Sequence, residues 1–246
     1  MKALVLCGGF GTRLGALCAE RPKPLLEVGN LALVEHALLR LARAGIRDVF
    51  VNLHFCAAQL RAKLGSGARY GVALEFFEEP ALLGTAGTPR ALAQRHDLDG
   101  LLVHYGDVLS EHPLAELVRA HRASSASATI VVHQREGSNS RAVLGAGNRV
   151  ERFLERPSAE VAFEVQSSWA FSGICVLSRD CLSSLPERAP ADLPRDLFPA
   201  LARAGGLFAE KHSGYRCAID SPARLLSAEE AWKSGELSSH RQLEAT

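Results

Sequence analysis

Three glycines stand directly behind the first apolar run of the chain, in Leu6-Cys7-Gly8-Gly9-Phe10-Gly11-Thr12-Arg13-Leu14. Glycine lets a backbone turn sharply and approach a ligand closely, so successive N–H groups can point at phosphate oxygens. Arg13 adjoins the glycines, and Lys23 follows ten residues on, in Pro22-Lys23-Pro24-Leu25-Leu26. A planar guanidinium and a compact ammonium together could bracket a triphosphate. The other reading of the same residues is a glycine turn with two solvated cations. Two common nucleotide motifs fail on this loop. The dinucleotide fingerprint needs its third glycine at position 14, and the P-loop needs Gly-Lys at 14 and 15, where Leu14 and Gly15 stand.

Carboxylates recur at the ends of apolar runs. Leu101-Leu102-Val103-His104-Tyr105-Gly106-Asp107 closes on a glycine and an aspartate, and Ile219-Asp220-Ser221-Pro222 opens a late helix pattern. An aspartate at a strand end commonly serves as a cap or turn residue, and Asp220 could cap the Pro222 helix. Glu78-Glu79-Pro80 and Leu83-Gly84-Thr85-Ala86-Gly87 read locally as a turn and a helix start. The nine histidines form no zinc spacing. The six cysteines, at 7, 18, 56, 175, 181 and 217, include no C-x-x-C pair and read as reduced thiols. Trp169 and Trp232 read as packing residues.

The elements that must position these groups follow from hydrophobic periodicity. Ala3 to Leu6 is an all-apolar run stopped by glycines, as expected of a parallel strand buried on both faces. Leu31 to Arg43 carries apolar residues at three- and four-residue spacing and ends before Gly45, which predicts a helix. Strands are expected at Asp48–Leu53 and Val72–Phe77 around a helix at Gln59–Leu64. A second unit of this kind follows, with a helix at Ala91–Arg95, a strand at Gly100–His104, a helix at Leu114–His121 and a strand at Ala128–His133. From Gly137 to Glu160 the texture changes to short strands around Ala142–Leu144 and Val150–Leu154, separated by a Gly-Ala-Gly-Asn turn. Ala170–Leu177 reads as a strand, Ala191–Arg203 as a helix and Leu207–Lys211 as a strand. Pro222–Trp232 reads as the closing helix, with Ser221 as its N-cap and a polar tail from Ser238. Helices alternating with short apolar strands predict an α/β fold, a doubly wound, mostly parallel Rossmann-like sheet with a small β-rich insertion. The expected organisation is one domain over 1–236, with a doubly wound part to about 135, a part carrying the β-rich insertion to about 220 and the closing helix.

A chain of 246 residues with 47% hydrophobic side chains can bury a sizeable core. The formal net charge is only +1, so no global field draws the chain to nucleic acid or to an anionic membrane, and any anion must be bound locally. The opening Met1-Lys2-Ala3-Leu4-Val5-Leu6 is too short for a secretory core, and no apolar run approaches the ~18 residues of a membrane span, so a cytoplasmic location is expected. No hexapeptide or other repeat is present.

Gly8-Gly9-x-Gly11-Thr12-Arg13-Leu14 followed by Pro22-Lys23-Pro24-Leu25-Leu26 closely resembles the signature of the sugar-phosphate nucleotidyltransferases, which include mannose-1-phosphate and heptose-1-phosphate guanylyltransferases. The resemblance continues in family order to the last helix and implies the nucleotide-diphospho-sugar transferase fold. It gives Leu6, Gly8, Gly9, Gly11 and Thr12 to the nucleotide, and Arg13 and Lys23 to its phosphates as catalytic cations. Glu79, Gly84, Thr85 and Gly87 would receive the base, and the Leu-Gly-Thr-Ala-Gly form resembles guanylyltransferases more than thymidylyltransferases, so GTP is expected. Asp107 and Asp220 would hold Mg²⁺, Asp107 also counting as catalytic, and Glu155, Arg156 and Gly173 would hold the sugar phosphate. The chain departs from the family pattern in three places: Tyr105 stands where asparagine is frequent, Arg156 where lysine is, and Arg141-Ala142-Val143 where Tyr-Gly precedes valine. The implied reaction transfers a nucleoside monophosphate from an NTP to a heptose, mannose or related sugar or cyclitol 1-phosphate, with a homodimer as the family's common assembly. The rival reading is a non-catalytic sugar-nucleotide-binding regulatory module, which would be expected to lose metal or phosphate residues; Arg13, Lys23, Asp107 and Asp220 are all present. A nicotinamide-dependent oxidoreductase is disfavoured by the missing third glycine.

Overall fold

The computed structural model describes residues 1–158, 160–161, 165 and 167–237, so the polar tail lies outside the described residues. The chain forms two compact units. The first takes in Met1–Leu82, His104–Ala115 and the segment from Ser213 onward; the second takes in Leu83–Val103 and Glu116–His212.

The first unit is built on the parallel strands β1 (Lys2–Leu6), β4 (Asp48–Leu53) and β5 (Ala73–Glu78), in the order β1-β4-β5. Val5 lies opposite Val51, and Val51 opposite Phe76. Ala3, Leu4 and Val5 are wholly buried, as an apolar run without alternation requires. Between β1 and β4 come a two-residue hairpin pair, β2 (Glu27–Val28) with β3 (Leu31–Ala32), and helix α1 (Leu33–Arg43). The helix therefore begins two residues later than its periodicity suggested, because Leu31 and Ala32 pair with the preceding strand. Glu35 Oε2 accepts the Ala32 N–H at 2.7 Å, satisfying one orphan amide of the first turn. Gly45, at φ +79°, turns the chain out of the helix. Helix α2 (Ala57–Leu64) links β4 to β5.

Strand β6 (Gly100–Tyr105) crosses the boundary, with Gly100–Val103 in the second unit and His104–Tyr105 in the first. Just beyond it, β7 (Val108–Ser110) pairs antiparallel with β13 (Arg216–Ala218), setting Val108 opposite Ala218. Helix α7 (Pro222–Ser234) closes this unit, capped by Ser221 Oγ, which accepts the Arg224 N–H at 3.4 Å. Its Trp232 lies against Gly29 and stacks edge-on upon His36 at 5.6 Å between ring centres.

The second unit orders its strands β12-β8-β11-β6. Strand β8 (Ala128–Gln134) pairs antiparallel with β11 (Trp169–Ser178) and parallel with β12 (Leu207–Lys211). The sheet is thus mixed here. The β-rich insertion is the hairpin of β9 (Ser140–Leu144) and β10 (Val150–Glu155). Phe198 holds the hairpin down: its ring stands edge-on to Phe153 of β10 at 5.2 Å and to Phe171 of β11 at 5.1 Å. Helices α3 (Gly84–Arg95), α4 (Leu114–Ala123, mostly in this unit), α5 (Arg179–Ser183) and α6 (Phe198–Arg203) complete it.

Two expectations need correction. Helix α3 begins at Gly84, seven residues before the predicted Ala91, because its first amides find a partner remote in sequence: Ala86 N and Gly87 N donate to Ala191 O at 2.8 and 3.3 Å. The expected helix from Ala191 starts instead with a wide turn at Leu193–Leu197 and becomes α-helical at Phe198, since Asp192 is extended and both Ala191 and Asp192 are bound to α3.

Candidate active site

In the first unit the glycine loop leaves β1 directly over Asn52 of β4. Asn52 Oδ1 accepts the Cys7 N–H at 2.6 Å and the Gly8 N–H at 3.3 Å. Only an oxygen can meet two amide donors, which turns Nδ2 toward Glu79, whose Oε1 accepts it at 2.9 Å. Asn52 and Glu79 are both buried, so one side chain ties the start of the loop to the carboxylate that follows β5. A Cβ on Gly8 would stand 2.8 Å from Asn52 Nδ2, which explains the glycine there. Gly9 and Thr12 are exposed, and Gly11, at φ +66°, bends the chain toward Arg13. His54 Nδ1 donates to the Glu79 carbonyl at 2.7 Å and its ring meets Phe10 of the loop edge-on at 5.2 Å.

The carboxylates predicted to act together are brought together. Gly106 N donates to Leu6 O at 3.0 Å, placing the end of β6 beside the end of β1. A Cβ on Gly106 would collide with Cys7 Sγ and with Leu6 O, each at 2.8 Å, so the Gly-Asp dipeptide has a packing cause. Asp107 O then accepts the Ile219 N–H at 2.9 Å, which extends the β7–β13 ladder by one step and brings Asp220 to the same end. Each acid meets a predicted cation. Lys23 Nζ pairs with Asp107 Oδ2, and Arg13 Nη1 lies 3.5 Å from Asp220 Oδ2. Lys23 is held by a short turn of Lys23–Leu25 that Pro22 and Pro24 pre-set and Leu25 anchors in the core. Arg13, by contrast, has a side chain that is 76% exposed.

Cys7 lies behind the loop, wholly buried. Burial first, and the nearby Asp107 second, push its thiol well above its ordinary value, so it stays protonated and takes no part in charge neutralisation.

The second unit holds the remaining predicted residues. Gly84, at φ +81°, lets the chain pass Ala191, whose carbonyl would stand 2.3 Å from a Cβ. Thr85 donates through N and Oγ1 to Asp192 Oδ1, at 3.2 and 3.3 Å, and its Oγ1 accepts the Leu193 N–H at 2.9 Å. The start of α3, including Gly87, is therefore locked to the 191–193 segment. Glu155 ends β10, and Arg156 follows at φ +48° with its side chain 80% exposed and its Nε 3.7 Å from Glu155 Oε1. Burial raises the Glu155 carboxyl above its usual range, and the adjacent Arg156 counteracts this. Gly173, at φ +86°, sits in an irregularity of β11 between Phe171 and Cys175, with Ser172 buried beside it and 3.0 Å from His133 Nδ1.

Two residues of the first unit escaped the sequence reading. Asn52 was visible only as one amide in an otherwise apolar strand. Arg224 places Nε 3.3 Å from Asp220 Oδ1, and its spacing of four residues from that aspartate was the available signal.

The first unit thus sets a glycine loop, two cations and two carboxylates at neighbouring strand ends of a parallel sheet. The chain belongs to the nucleotidyl transferase family, whose model matches residues 2–215. It is 33% identical over 235 residues to a mannose-1-phosphate guanyltransferase of Schizosaccharomyces pombe, covering 92% of this chain and 63% of that protein. It is 31% identical over 234 residues to the mannose-1-phosphate guanylyltransferase catalytic subunit beta of Xenopus tropicalis, with the same coverage of 92% and 63%. The chain thus spans a little over three fifths of these relatives. Among solved structures, a Bacillus anthracis protein provisionally named a glucose-1-phosphate thymidylyltransferase superposes with a TM-score of 0.82 at 21% identity, over 94% of both chains. HddC from Yersinia pseudotuberculosis superposes with a TM-score of 0.77 at 18% identity, over 94% of this chain and 99% of that one. These two likenesses establish the fold.

Proposed function

We propose that this chain transfers a nucleoside monophosphate, preferentially guanylate from GTP, to a sugar 1-phosphate and releases pyrophosphate. The observation that carries the reading is the double pairing in the first unit, Lys23 with Asp107 and Arg13 with Asp220, beside a glycine loop whose exposed Gly9 and Thr12 remain open to a ligand. The choice of GTP and of a mannose or heptose 1-phosphate rests on the named activities of the relatives and on the Leu-Gly-Thr-Ala-Gly segment.

A sugar 1-phosphate is an anion near neutral pH, so its attack on the α-phosphorus needs positioning and charge neutralisation more than a general base. A phosphate oxygen forms the new bond to the α-phosphorus as the bond to the β-phosphate oxygen breaks, and pyrophosphate carries away the electron pair. Loop amides receive the triphosphate. Lys23 and Arg13 exchange their carboxylate partners for phosphate oxygens and stabilise the departing pyrophosphate. Arg156 holds the sugar phosphate, its guanidinium replacing a point charge by a planar fork. Asp107 and Asp220 fit Mg²⁺: they offer only hard oxygens, Asp107 Oδ1 has no hydrogen bond among the described residues, and two carboxylates leave room for phosphate and water. Bound there, the ion would neutralise charge on the α-phosphate.

The test is pyrophosphate release from each of four NTPs against mannose, glucose and heptose 1-phosphates, with Mg²⁺ or EDTA. The reading expects release that EDTA abolishes, strongest with GTP. Tight binding of a nucleotide sugar without release in any combination would replace it with a regulatory binding module.

A further inference from the structure

Helix α7 breaks a local rule at its start. The positive end of a helix dipole favours acidic residues, yet the first turn of α7 carries no acid and places Arg224 there. Three contacts hold it. Its Nε lies 3.3 Å from Asp220 Oδ1, its Nη1 donates to Ala218 O at 3.2 Å, and its backbone N–H is capped by Ser221. The Ala218 carbonyl is itself the partner of Asp220 N, at 3.0 Å, so the guanidinium is fixed to the backbone that carries the aspartate as well as to the carboxylate. The cation is thus placed against the local dipole and its guanidinium is held at two points.

Charge accounting suggests what this cation does. Asp107 and Asp220 are matched by Lys23, Arg13 and Arg224, two negative charges against three positive ones. Without an anion the cluster is net positive and repels a divalent cation. A triphosphate reverses the sign by drawing off Lys23 and the exposed Arg13. Arg224, only 29% exposed and anchored on Ala218, cannot leave with them. Building on the metal assignment above, we propose that Arg224 is a positioning residue that holds Asp220 by its Oδ1 and makes divalent-metal binding conditional on the nucleotide. Asp220 Oδ2, the oxygen Arg13 vacates, would then be the one left to hold the metal. By linkage, the nucleotide also binds more tightly once the metal is present, by the same factor.

The test uses Mn²⁺ as the probe, with free ion counted by electron paramagnetic resonance, on the full chain with and without GTP. Wild type is expected to bind Mn²⁺ weakly alone and much more tightly with GTP. Arg224→Gln removes one positive charge next to the ion and should tighten binding without GTP about tenfold, reducing the coupling to GTP by a similar factor. Arg224→Lys, which keeps the charge but not the anchor on Ala218, should keep Mn²⁺ binding weak without GTP as in wild type, a rescue that a purely structural role for the guanidinium fork would not produce. Thermal melts of both variants within a few degrees of wild type would show that the fold is kept. Equal Mn²⁺ affinities for wild type and Arg224→Gln, alongside weakened binding in Asp220→Asn, would overturn the role of Arg224 and leave the metal assignment standing. If Asp220→Asn left Mn²⁺ binding unchanged with and without GTP, the metal assignment would fall, and the role of Arg224 with it.

Discussion

Replacing Asn52 by alanine removes three interactions at once and leaves their partners where they are. The Cys7 N–H, at 2.6 Å, and the Gly8 N–H, at 3.3 Å, belong to buried residues and have no other hydrogen bond among the described residues. Glu79 Oε1 loses its 2.9 Å donor in a side chain that is 2% exposed. An unsatisfied buried donor costs about 1–3 kcal/mol, and two amides lose their acceptor, so the variant should be less stable by about 3 kcal/mol. The assay is urea unfolding, read as a lower midpoint at unchanged slope. The conservative partner is Asn52→Asp, which keeps an acceptor for the two amides but sets a second carboxylate against Glu79. That variant should also be destabilised, because two carboxylates would face each other in a buried site. A stability for Asn52→Ala within about 0.5 kcal/mol of wild type, the usual range for a surface change, would refute the argument that this amide braces the loop.

Gly29→Ala should also destabilise the first unit, because φ is +64° and the new Cβ would stand 2.2 Å from Trp232 Cε2. Backbone strain and overpacking together cost about 2–5 kcal/mol, visible as a lowered melting temperature and a red-shifted tryptophan emission. Acid should weaken the fold through His36, His104 and His112, which burial holds at about 4. The unfolded chain takes up these protons near 6.5 and the folded one only near 4, so their contribution is complete above about pH 6.5 and is lost as pH falls toward 4. Melting temperatures that stayed flat across that window would contradict the assignment. Lys23→Ala and Asp107→Asn should each lower turnover at least a hundredfold while the chain stays folded, and near-normal rates in either would remove that residue from the chemistry.

Much of the architecture could be read from residue patterns, and the failures share a physical cause. Strand Asp48–Leu53 and strand Leu207–Lys211 match their predicted limits, since each is an apolar run with polar or glycine boundaries. The glycine loop and Lys23 were legible because glycines and a proline-bracketed lysine constrain the backbone locally. The start of α3 was not. Gly84, Gly87 and Pro89 argue against a helix there, and what sustains it is a carbonyl about a hundred residues away, Ala191 O. The β7–β13 ladder was missed because three residues a side carry no periodicity, although it is what sets Asp107 and Asp220 at one end. Asp220 could be read as a helix cap, but Ser221 performs that task and frees the aspartate for its two arginines. The bracing role of Asn52 is a tertiary fact, since nothing in a single amide says what it will touch, whereas the clamp of Arg224 on Asp220 was legible in their four-residue spacing.

The most direct test of the central claim follows the atoms. GTP labelled with ³²P at the α position, and separately at the γ position, is incubated with a sugar 1-phosphate that supports turnover. Nucleotidyl transfer predicts α-label in a nucleotide sugar and γ-label only in pyrophosphate, with both products absent in EDTA. Gamma-label on the sugar would identify a phosphoryl transferase instead, and release of labelled inorganic phosphate alone would identify a hydrolase; either result would contradict the account.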